Sequence, residues 1–257
     1  MKKNSATSIS YPDFIKECKE AVENEELFKN FKSKPTISYV LGNLSKEQGD
    51  LYLNEIRKNP TIASNISKFK VNDILGNAEK YQYDIVEMSP TTLRYIHVLK
   101  DLVTNHQMDN FNIIEVGGGY GGQCAIIKTH ADISKYSIVD IPGATDLTKK
   151  YLTALGISNN TEVINGNDRN HTYGQSYDLF ISNYALSECV RETQQFYLDN
   201  IIKNCAHGYI LFNEIGQGYG GYTLNEFSNA LSRLGKETAV CKDTPVVCRS
   251  DNFLITW

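Results

Sequence analysis

The sequence predicts an α/β fold: a mostly parallel sheet with helices on both faces, an antiparallel strand pair at its C-terminal end and a helical N-terminal extension. From Phe111 onward, short apolar runs alternate with segments of helical periodicity, which is typical of a parallel sheet covered on both sides. A glycine-rich loop follows the first apolar run, as expected where a strand turns sharply into a helix. Residues 237–241 and 253–257 are two apolar runs joined without a helical segment, so we expect them to pair antiparallel.

Helical periodicity dominates the part of the chain before the first of these strands. Residues 71–88 are the exception, because they are polar and irregular. Ser89 and Pro90 are suited to the cap and the first turn of a helix. We therefore expect a helical extension, residues 1–88, and a sheet domain, residues 89–257. The helices predicted in this part lie at residues 11–31, at 45–59 and from Ser89 onward.

The strands and helices of the sheet domain are predicted from the same periodicities. Apolar residues recur on one face of residues 143–155, and Gly156 is a suitable residue to end that helix. The predicted strands occupy residues 111–116, 136–140, 161–165, 177–182 and 208–214, before the C-terminal pair. The predicted helices occupy residues 121–131, 143–155, 191–204 and 223–234.

Composition and charge exclude several classes of protein. A net charge of −4 argues against a nucleic-acid or anionic-membrane surface, which would need a basic excess. The N-terminus is polar, and no apolar stretch has the length of a signal peptide or membrane span, so we expect a cytoplasmic protein. The six cysteines are scattered without a C-x-x-C pair, so we expect them to be reduced, and we expect no metal.

The loop at residues 115–122 fits two cofactor motifs. Gly117, Gly119 and Gly122 match the G-x-G-x-x-G fingerprint of dinucleotide-binding sites. The same loop also matches the acidic-x-G-x-G-x-G pattern of S-adenosylmethionine (SAM) methyltransferases, with Glu115 as its acidic residue. The glycines of that second match are Gly117, Gly119 and Gly121.

Glu115 and the C-terminal strand pair favour SAM. In a dinucleotide site the position before the glycines packs in the core, where a charged Glu115 would be buried without a purpose. In a methyltransferase it lies at the carboxyl end of the strand, where it can hold the methionine end of SAM through its ammonium group or through water. A parallel sheet that ends in an antiparallel pair is also the layout of the methyltransferase fold, and not of the usual nicotinamide-binding domain.

Two further strand ends supply groups for an adenosine. Asp140 ends the second predicted strand, where an acceptor suits the two ribose hydroxyls of either cofactor. Ile141 can pack on the adenine face, although a plain core residue explains it equally well. Asn167 and Asp168 follow the third strand and can meet the adenine amino group, with an ordinary Asx turn as the alternative.

Three separated segments carry a resemblance to a known family. They are the glycine loop with Gln123, residues 89–95 (SPTTLRY) and residues 182–188 (SNYALSE). Together they resemble the sugar O-methyltransferase family of bacterial surface-polysaccharide gene clusters, over roughly residues 70–257.

The resemblance implies a class I methyltransferase fold, SAM as cofactor and a sugar hydroxyl as methyl acceptor. It also implies a set of residues at the methyl donor, and it leaves the first sixty or so residues without a counterpart. Asn183 and Tyr184 are expected to line the methyl group and position the acceptor. The residues added to the cofactor site in this way are Thr92, Arg94, Gln123 and Asn183.

A sugar hydroxyl is a weak nucleophile, so a nearby base should help the transfer. Glu188 is the first candidate, because it lies just beyond the fourth strand; a role as a helix cap is equally compatible. Glu214, at the end of the fifth strand, is the second candidate. The glycine- and tyrosine-rich residues 217–222 suit a lid over a sugar ring, or a flexible loop. Arg169 and Arg191 are candidates for binding a diphosphate.

The sequence therefore predicts a SAM-dependent O-methyltransferase acting on a sugar hydroxyl, on a nucleotide-linked precursor of capsule or another surface polysaccharide. The alternatives are methyl transfer to a non-sugar acceptor, such as a phosphorus-linked glycan substituent or a small metabolite, an NAD(P)-dependent sugar oxidoreductase, and a binding protein without activity. No nucleic-acid or membrane partner is expected. The N-terminal helices are expected to define the substrate or the oligomer, for which a homodimer is one arrangement.

Overall fold

The computed structural model describes residues 12–41, 44–174, 176–247 and 251–257. The helices are α1 (Pro12–Glu23), α2 (Glu25–Lys29), α3 (Pro35–Val40), α4 (Lys46–Ile56), α5 (Pro60–Ser64), α6 (Pro90–Asn105), α7 (Gly122–His130), α8 (Ala144–Ala154), α9 (Arg191–Asn200) and α10 (Leu224–Arg233). The strands are β1 (Tyr81–Gln82), β2 (Glu87–Met88), β3 (Asn112–Val116), β4 (Lys135–Asp140), β5 (Thr161–Asn165), β6 (Tyr177–Asn183), β7 (Cys205–Phe212), β8 (Ala239–Lys242) and β9 (Phe253–Thr256).

The main sheet has the strand order β5-β4-β3-β6-β7-β9-β8. Strands β3 to β7 are parallel, and β9 runs antiparallel to both β7 and β8. The predicted C-terminal pair is therefore confirmed. The chain winds outward from β3 through β4 to β5 and then returns to β6 on the other side of β3. Ligands bind at such a switch point, at the carboxyl ends of the strands. We call the space beside the ends of β3, β4 and β6 the crevice.

Each face of the sheet is buried in its own apolar core, as predicted. Neighbouring residues of one strand point to opposite faces, so Ile113 belongs to one core and Ile114 to the other. The Ile114 core includes residues of α9 and α10. The Ile113 core continues into the N-terminal helices, where Phe14, Cys18 and Phe31 are buried. The N-terminal residues thus share a core with the sheet.

The N-terminal half differs from the prediction in two places. The helix predicted at residues 11–31 is broken at Asn24, whose side chain accepts hydrogen bonds from the amides of Glu26 and Leu27 and caps α2. Asparagine favours such caps over helix interiors because its side chain competes for backbone amides. The stretch predicted as irregular contains a short antiparallel hairpin of β1 and β2. Residue 11 lies outside the described residues.

The predicted capping residues are confirmed. The Ser89 side chain accepts the amide hydrogen bond of Thr92 at the start of α6. Ser45 forms a reciprocal capping box with Gln48 at the start of α4. Since these caps satisfy helix-end amides that have no partner within the helix, they fix where each helix begins.

The fifth strand of the sheet ends earlier than predicted. β7 spans Cys205–Phe212, so Glu214 lies beyond the strand, at the start of a 3-10 turn. The helix predicted at residues 191–204 ends at Asn200 and is followed by a separate 3-10 turn.

The N-terminal helices lie over the carboxyl ends of β3 and β4. A Cβ placed on Gly143, after β4, would lie 3.2 Å from Ile15 of α1, and one placed on Gly119, after β3, would lie 3.1 Å from Leu41. Glu17 of α1 accepts hydrogen bonds from the first amides of α3 and so holds the two helices together. No helix of the described residues has both the length and the apolar character needed to cross a lipid bilayer.

Candidate functional site

The glycine loop turns the chain from β3 into α7 with backbone angles that favour glycine. Gly117, Gly119 and Gly121 have φ values of 82°, 60° and 92°, and residues with a Cβ rarely adopt this left-handed region. A Cβ on Gly117 would also lie only 1.9 Å from the Cβ of Ala185, at the end of β6. The loop therefore packs directly against the segment that follows β6.

Asp140 lies at the end of β4 and holds the glycine loop. Its Oδ2 accepts a hydrogen bond of 2.7 Å from the amide of Gly119, and its Oδ1 accepts one of 2.7 Å from the amide of Ile141. Burial raises the pKa of this carboxyl to about 6, against the opposing effect of the two amides. Ile141 is buried beside it. The predicted ribose acceptor and adenine neighbour therefore lie together at the crevice.

Glu115 is more deeply buried than a residue at an open strand end. Its side chain is 1% exposed and its Oε2 accepts a hydrogen bond of 2.9 Å from the phenol of Tyr136. Burial raises the pKa of Glu115 to about 8, with Asp140 adding to the shift. Burial of the acidic residue was predicted to be unfavourable in a dinucleotide site and to be avoided at an open strand end. The structure buries Glu115 in either case, so burial at this position does not distinguish the two cofactors.

Gln123 and Asn183 connect α7 with the end of β6. The Gln123 amide donates to the carbonyl of Tyr95, and its Oε1 accepts from Asn183 at 3.5 Å. The Oδ1 of Asn183 is buried without a hydrogen-bond partner among the described residues. The structure thus places both residues beside the glycine loop, with an unused acceptor on Asn183.

Arg94 lies in α6 and reaches toward the crevice. Its Nη2 donates a hydrogen bond of 2.6 Å to the carbonyl of Leu41, which itself lies next to Gly119. Its Nε is buried without a hydrogen-bond partner, and none of the ion pairs found among the described residues includes Arg94. The side chain is half-buried with Asp243 in its surroundings, and its Nε can still donate a hydrogen bond to an anionic ligand.

Thr92 of α6 forms its hydrogen bonds apart from Arg94 and the glycine loop. Its hydroxyl donates to Asp73 at 2.7 Å and accepts from Asn72 at 2.7 Å, and the whole side chain is buried. The side-chain hydroxyl is thus occupied in a polar network that also includes Ser89, the cap of α6. The structure does not bring the Thr92 hydroxyl together with the other predicted cofactor residues.

Asn167 and Asp168 are exposed on the turn after β5. Asp168 accepts a hydrogen bond from the amide of Asn170, and the amide of Asn167 donates to Asn165. These are the bonds of an Asx turn, which was the alternative considered for the segment.

The three candidate catalytic residues have different surroundings. Glu188 accepts a hydrogen bond of 2.9 Å from the side chain of Asn213. Glu214 accepts one of 2.9 Å from the amide of Leu224, at the first turn of α10. Tyr184 follows β6 directly, and its phenol donates a hydrogen bond of 2.7 Å to Asp243. The carboxylates of Glu188 and Glu214 therefore each connect two neighbouring segments. The phenol of Tyr184 instead contacts a third carboxylate, that of Asp243.

Asp243 is the residue of this region that the sequence analysis missed. It follows β8, is 7% exposed, and burial raises its pKa. His97 of α6 is buried close to it. No motif marks Asp243, because its neighbours come from α6 and β6, more than fifty positions away in the sequence.

The remaining candidates lie in packed surroundings. Arg169 stacks on Phe196 at 4.2 Å, and Arg191 pairs with Glu226 at 2.7 Å. Within the predicted lid, Tyr222 is buried, so that it presents no face to a sugar ring. Tyr219 of the same loop is 48% exposed.

The cysteines and the acidic residues form no metal centre in the part of the chain that the structure describes. No group of three or more His, Cys, Asp or Glu side chains is placed to hold an ion among these residues. Cys18, Cys124, Cys189 and Cys205 are buried free thiols, and Cys241 is exposed. Cys248 lies outside the described residues.

Comparisons with known proteins identify the fold. No family model matches the sequence, and no curated protein matches it. A candidate RNA methyltransferase of Pyrococcus horikoshii is 10% identical over 74% of this chain and 94% of its own, with a TM-score of 0.50. The fold is that of the class I methyltransferases.

Two further structures are similar at lower TM-scores. A SAM-dependent methyltransferase of Aquifex aeolicus is 15% identical, over 62% of this chain and 87% of its own, with a TM-score of 0.47. An O-methyltransferase family protein of Burkholderia thailandensis is 15% identical, over 56% of this chain and 49% of its own, with a TM-score of 0.43. The sheet order confirms the predicted fold class.

Proposed function

We propose that this protein is a SAM-dependent O-methyltransferase that transfers a methyl group to a sugar hydroxyl. The acceptor sugar is a nucleotide-linked precursor of a surface polysaccharide. One observation carries the cofactor part of this proposal. Asp140 at the end of β4 holds the amide of Gly119 in the glycine loop, within a sheet of methyltransferase order. This arrangement supports an adenosine site bounded by backbone amides and a carboxylate.

The adenosine half of SAM fits the ends of β4 and β5. An ionised carboxylate offers about four lone-pair positions, of which the two backbone amides occupy two on Asp140. The others are free to accept the two ribose hydroxyls. Ile141 is placed to pack on the adenine, and we assign Asn167 and Asp168, on the next turn, to the adenine amino group.

The methionine half of SAM carries one carboxylate and one ammonium group, and Arg94 and Glu115 complement them. Arg94 has a buried Nε without a hydrogen-bond partner among the described residues, which supports its binding of the carboxylate. Glu115 is buried with a phenol as its hydrogen-bond donor and is assigned to the ammonium group. The residues present therefore fit SAM at both ends.

Bound SAM supplies a methyl group that its sulfonium already activates. The protein then has to align the acceptor oxygen behind that methyl group, and alignment is the larger part of such catalysis. Asn183 and Tyr184 follow β6 next to the glycine loop and are assigned to this alignment. The net charge of −4 favours a small acceptor over a nucleic acid.

The methionine assignment is tested with two ligands that differ only in that half. S-adenosylhomocysteine has the amino-acid group, and 5′-methylthioadenosine lacks it. Arg94→Met should weaken binding of S-adenosylhomocysteine by about 1.5–3 kcal/mol, the range for a hydrogen bond to a charged group. It should leave 5′-methylthioadenosine affinity unchanged in calorimetry. Equal losses for both ligands would contradict the assignment.

The acceptor is tested by a methyl-transfer screen against a panel of nucleotide sugars, including UDP-glucose, UDP-N-acetylgalactosamine, GDP-mannose and dTDP-rhamnose. Mass spectrometry should find one member that gains a methyl group only when SAM is present. If the protein binds S-adenosylhomocysteine but methylates no nucleotide sugar, the proposed cofactor is retained and the proposed acceptor is contradicted.

A further inference from the structure

The acceptor end of the crevice lacks an obvious base, because the two predicted carboxylates are occupied. Glu188 accepts a hydrogen bond from the Asn213 side chain, and Glu214 accepts one from the first turn of α10. Both bonds connect the segment after β6 or β7 to a neighbour. Taking up a proton on either carboxylate would weaken a bond that holds these segments together.

Tyr184 lies in the segment next to the glycine loop, where the proposed function puts the methyl group. It follows Asn183, which donates to Gln123 on the helix after the glycine loop. It also precedes Ala185, whose Cβ lies only 1.9 Å from the position that a Cβ added to Gly117 would take. The backbone of Tyr184 is therefore held against the glycine loop on both sides.

The backbone of Tyr184 adopts a conformation that a tyrosine rarely takes. Its φ is 70°, in the left-handed region, which is unfavourable for a residue with a Cβ. Its amide donates to the carbonyl of Leu211 on β7, which fixes this conformation. Strain of this kind persists only where the surroundings hold it, and it is concentrated at functional sites.

The strained backbone directs the phenol toward Asp243. The phenol donates a hydrogen bond of 2.7 Å to Asp243 Oδ2, and the Asn252 side chain donates to the phenol oxygen at 3.4 Å. The amide of Asp243 in turn donates to the carbonyl of Asn252. These bonds fix the phenol with its hydrogen on the side of the carboxylate.

Asp243 is buried among groups of both charges. Arg94 and His97 of α6 favour its ionised form, and Asp101 of the same helix opposes it. Burial is the largest influence and raises the pKa of the carboxyl, which makes Asp243 a better proton acceptor than an exposed aspartate. The titratable and charged groups that face it are Arg94, His97 and Asp101 of α6, Tyr184 after β6, Tyr209 of β7 and Cys241 of β8.

We propose that Tyr184 and Asp243 form a proton relay for the acceptor hydroxyl, in which Asp243 takes up the proton through the phenol of Tyr184. The inference rests on the proposed function, because it assigns the proton acceptor of the same reaction. Tyr184 is the catalytic residue that touches the acceptor, and Asp243 is a positioning residue that acts through it.

Each methyl transfer moves two protons along the relay. The acceptor oxygen forms a bond to the methyl carbon, the sulfur–methyl bond breaks, and its electron pair stays on the sulfur. The hydroxyl proton passes to the oxygen of Tyr184 while the phenol proton passes to Asp243. The products are a methyl ether, S-adenosylhomocysteine and a neutral Asp243, whose proton leaves to solvent before the next cycle.

The relay is tested first by kinetics on the full chain, with the acceptor that the nucleotide-sugar screen identifies. Asp243→Asn and Tyr184→Phe should each lower kcat by at least about 100-fold, the lower end for proton-transfer catalysis. The KM for SAM and the affinity for S-adenosylhomocysteine should stay within twofold. In the wild type kcat should rise with pH as Asp243 ionises and then level off, and Asp243→Asn should remove this limb.

Matched controls come from the opposite end of the same strand. Tyr177→Phe removes a phenol that accepts a hydrogen bond of 2.7 Å from the amide of Gly174, and Asp178→Asn weakens a bond of 2.7 Å from the amide of Asn112. Both should leave kcat within twofold. An Asp243→Asn variant that keeps more than a third of the wild-type kcat would overturn the relay.

A second measurement needs no acceptor, so the relay is decided even if no nucleotide sugar is methylated. The 13Cζ resonance of Tyr184, assigned by its loss in Tyr184→Phe, is followed from pH 7 to pH 4 in the S-adenosylhomocysteine complex. Protonation of Asp243 should shift it in a single step that Asp243→Asn abolishes. A resonance that does not move in the wild type overturns the relay, whereas an inactive screen alone overturns only the sugar acceptor.

Discussion

The two ends of the crevice are built in different ways. At the cofactor end, Glu115, the glycine loop and Asp140 come from one continuous stretch, and backbone amides make much of the site. At the proposed acceptor end, Tyr184 and Asp243 come from two segments 59 positions apart, and side chains make the site. A cofactor site can thus be carried by a local motif, whereas an acceptor site depends on how distant segments pack.

The largest effect on the cofactor end is expected from Gly117→Ala. The new Cβ would meet Ala185 at 1.9 Å in a left-handed backbone conformation. Strain and overpacking together should lower the free energy of unfolding by about 2–5 kcal/mol. Binding of S-adenosylhomocysteine should fall below detection in calorimetry, because the loop can no longer lie against the end of β6.

Gly156→Ala is the matched control for this change. Gly156 has a φ of 71°, close to the 82° of Gly117, but no described atom lies within 4 Å of its added Cβ. It should lose about 1–2 kcal/mol from backbone strain alone. Cofactor affinity should not change. Equal effects of the two alanines on affinity would show that strain, and not contact with Ala185, controls the loop.

The next largest effect is expected from Asp140→Ala. The change removes the acceptor of the Gly119 amide and the proposed partner of the ribose, so affinity for S-adenosylhomocysteine should fall by about 1.5–3 kcal/mol. Asp178→Asn, which changes a carboxylate bound to a backbone amide at the opposite end of the sheet, should leave the affinity unchanged. Unchanged affinity in Asp140→Ala would remove Asp140 from the site.

Glu115→Gln should weaken cofactor binding less than Asp140→Ala does. Unlike Gly117→Ala, it should raise the free energy of unfolding. The pKa of Glu115 is raised from 4.5 to about 8 in the folded protein, so the unfolded chain loses this proton first. The contribution of Glu115 to stability is therefore fully present below about pH 4.5 and is lost as the pH rises toward about 8. Glu115→Gln removes this decline, and denaturant titrations should show a gain of about 2–4 kcal/mol at pH 8 and little gain at pH 4.5.

The same variant should weaken binding of S-adenosylhomocysteine by about 1–2 kcal/mol at pH 8, because a charged partner of the ammonium group is lost. In the wild type at pH 7, binding should release a proton from Glu115, which calorimetry in buffers of different ionisation heats can count. A stabilised variant with unchanged affinity would mean that Glu115 has no part in binding SAM.

The smallest effect on affinity is expected from Thr92→Val. The hydroxyl of Thr92 bonds to Asp73 and Asn72 in a buried network, so its loss should lower the free energy of unfolding by about 1–3 kcal/mol. Affinity for S-adenosylhomocysteine should stay within twofold. A larger loss of affinity would support the cofactor role that the resemblance implies for Thr92.

The sequence predicted the turn from β3 into α7 and the position of Asp140 at a strand end, because these signals are local. The glycines, the acidic strand end at Asp140 and the alternation of strands are all visible in short windows. The hydrogen bonds of the candidate bases are not visible there: Glu188 and Glu214 follow strands, and packing engages both carboxylates. Asp243 was missed since only the pairing of β8 with β9 brings it to Tyr184.

The burial of Glu115 shows a second limit of sequence reasoning. A strand end adjoining a glycine loop was expected to be open to a ligand, but α6, α7 and β4 enclose the side chain. The degree of burial depends on residues far along the chain. Its pKa could therefore be assessed only once the structure was known.

One calorimetric experiment decides whether the glycine loop and Asp140 bind SAM. The full chain is titrated with S-adenosylhomocysteine and, separately, with NAD. We predict one S-adenosylhomocysteine bound per chain, with an affinity that Asp140→Ala reduces, and no heat from NAD. Binding of NAD with none of S-adenosylhomocysteine would contradict the account.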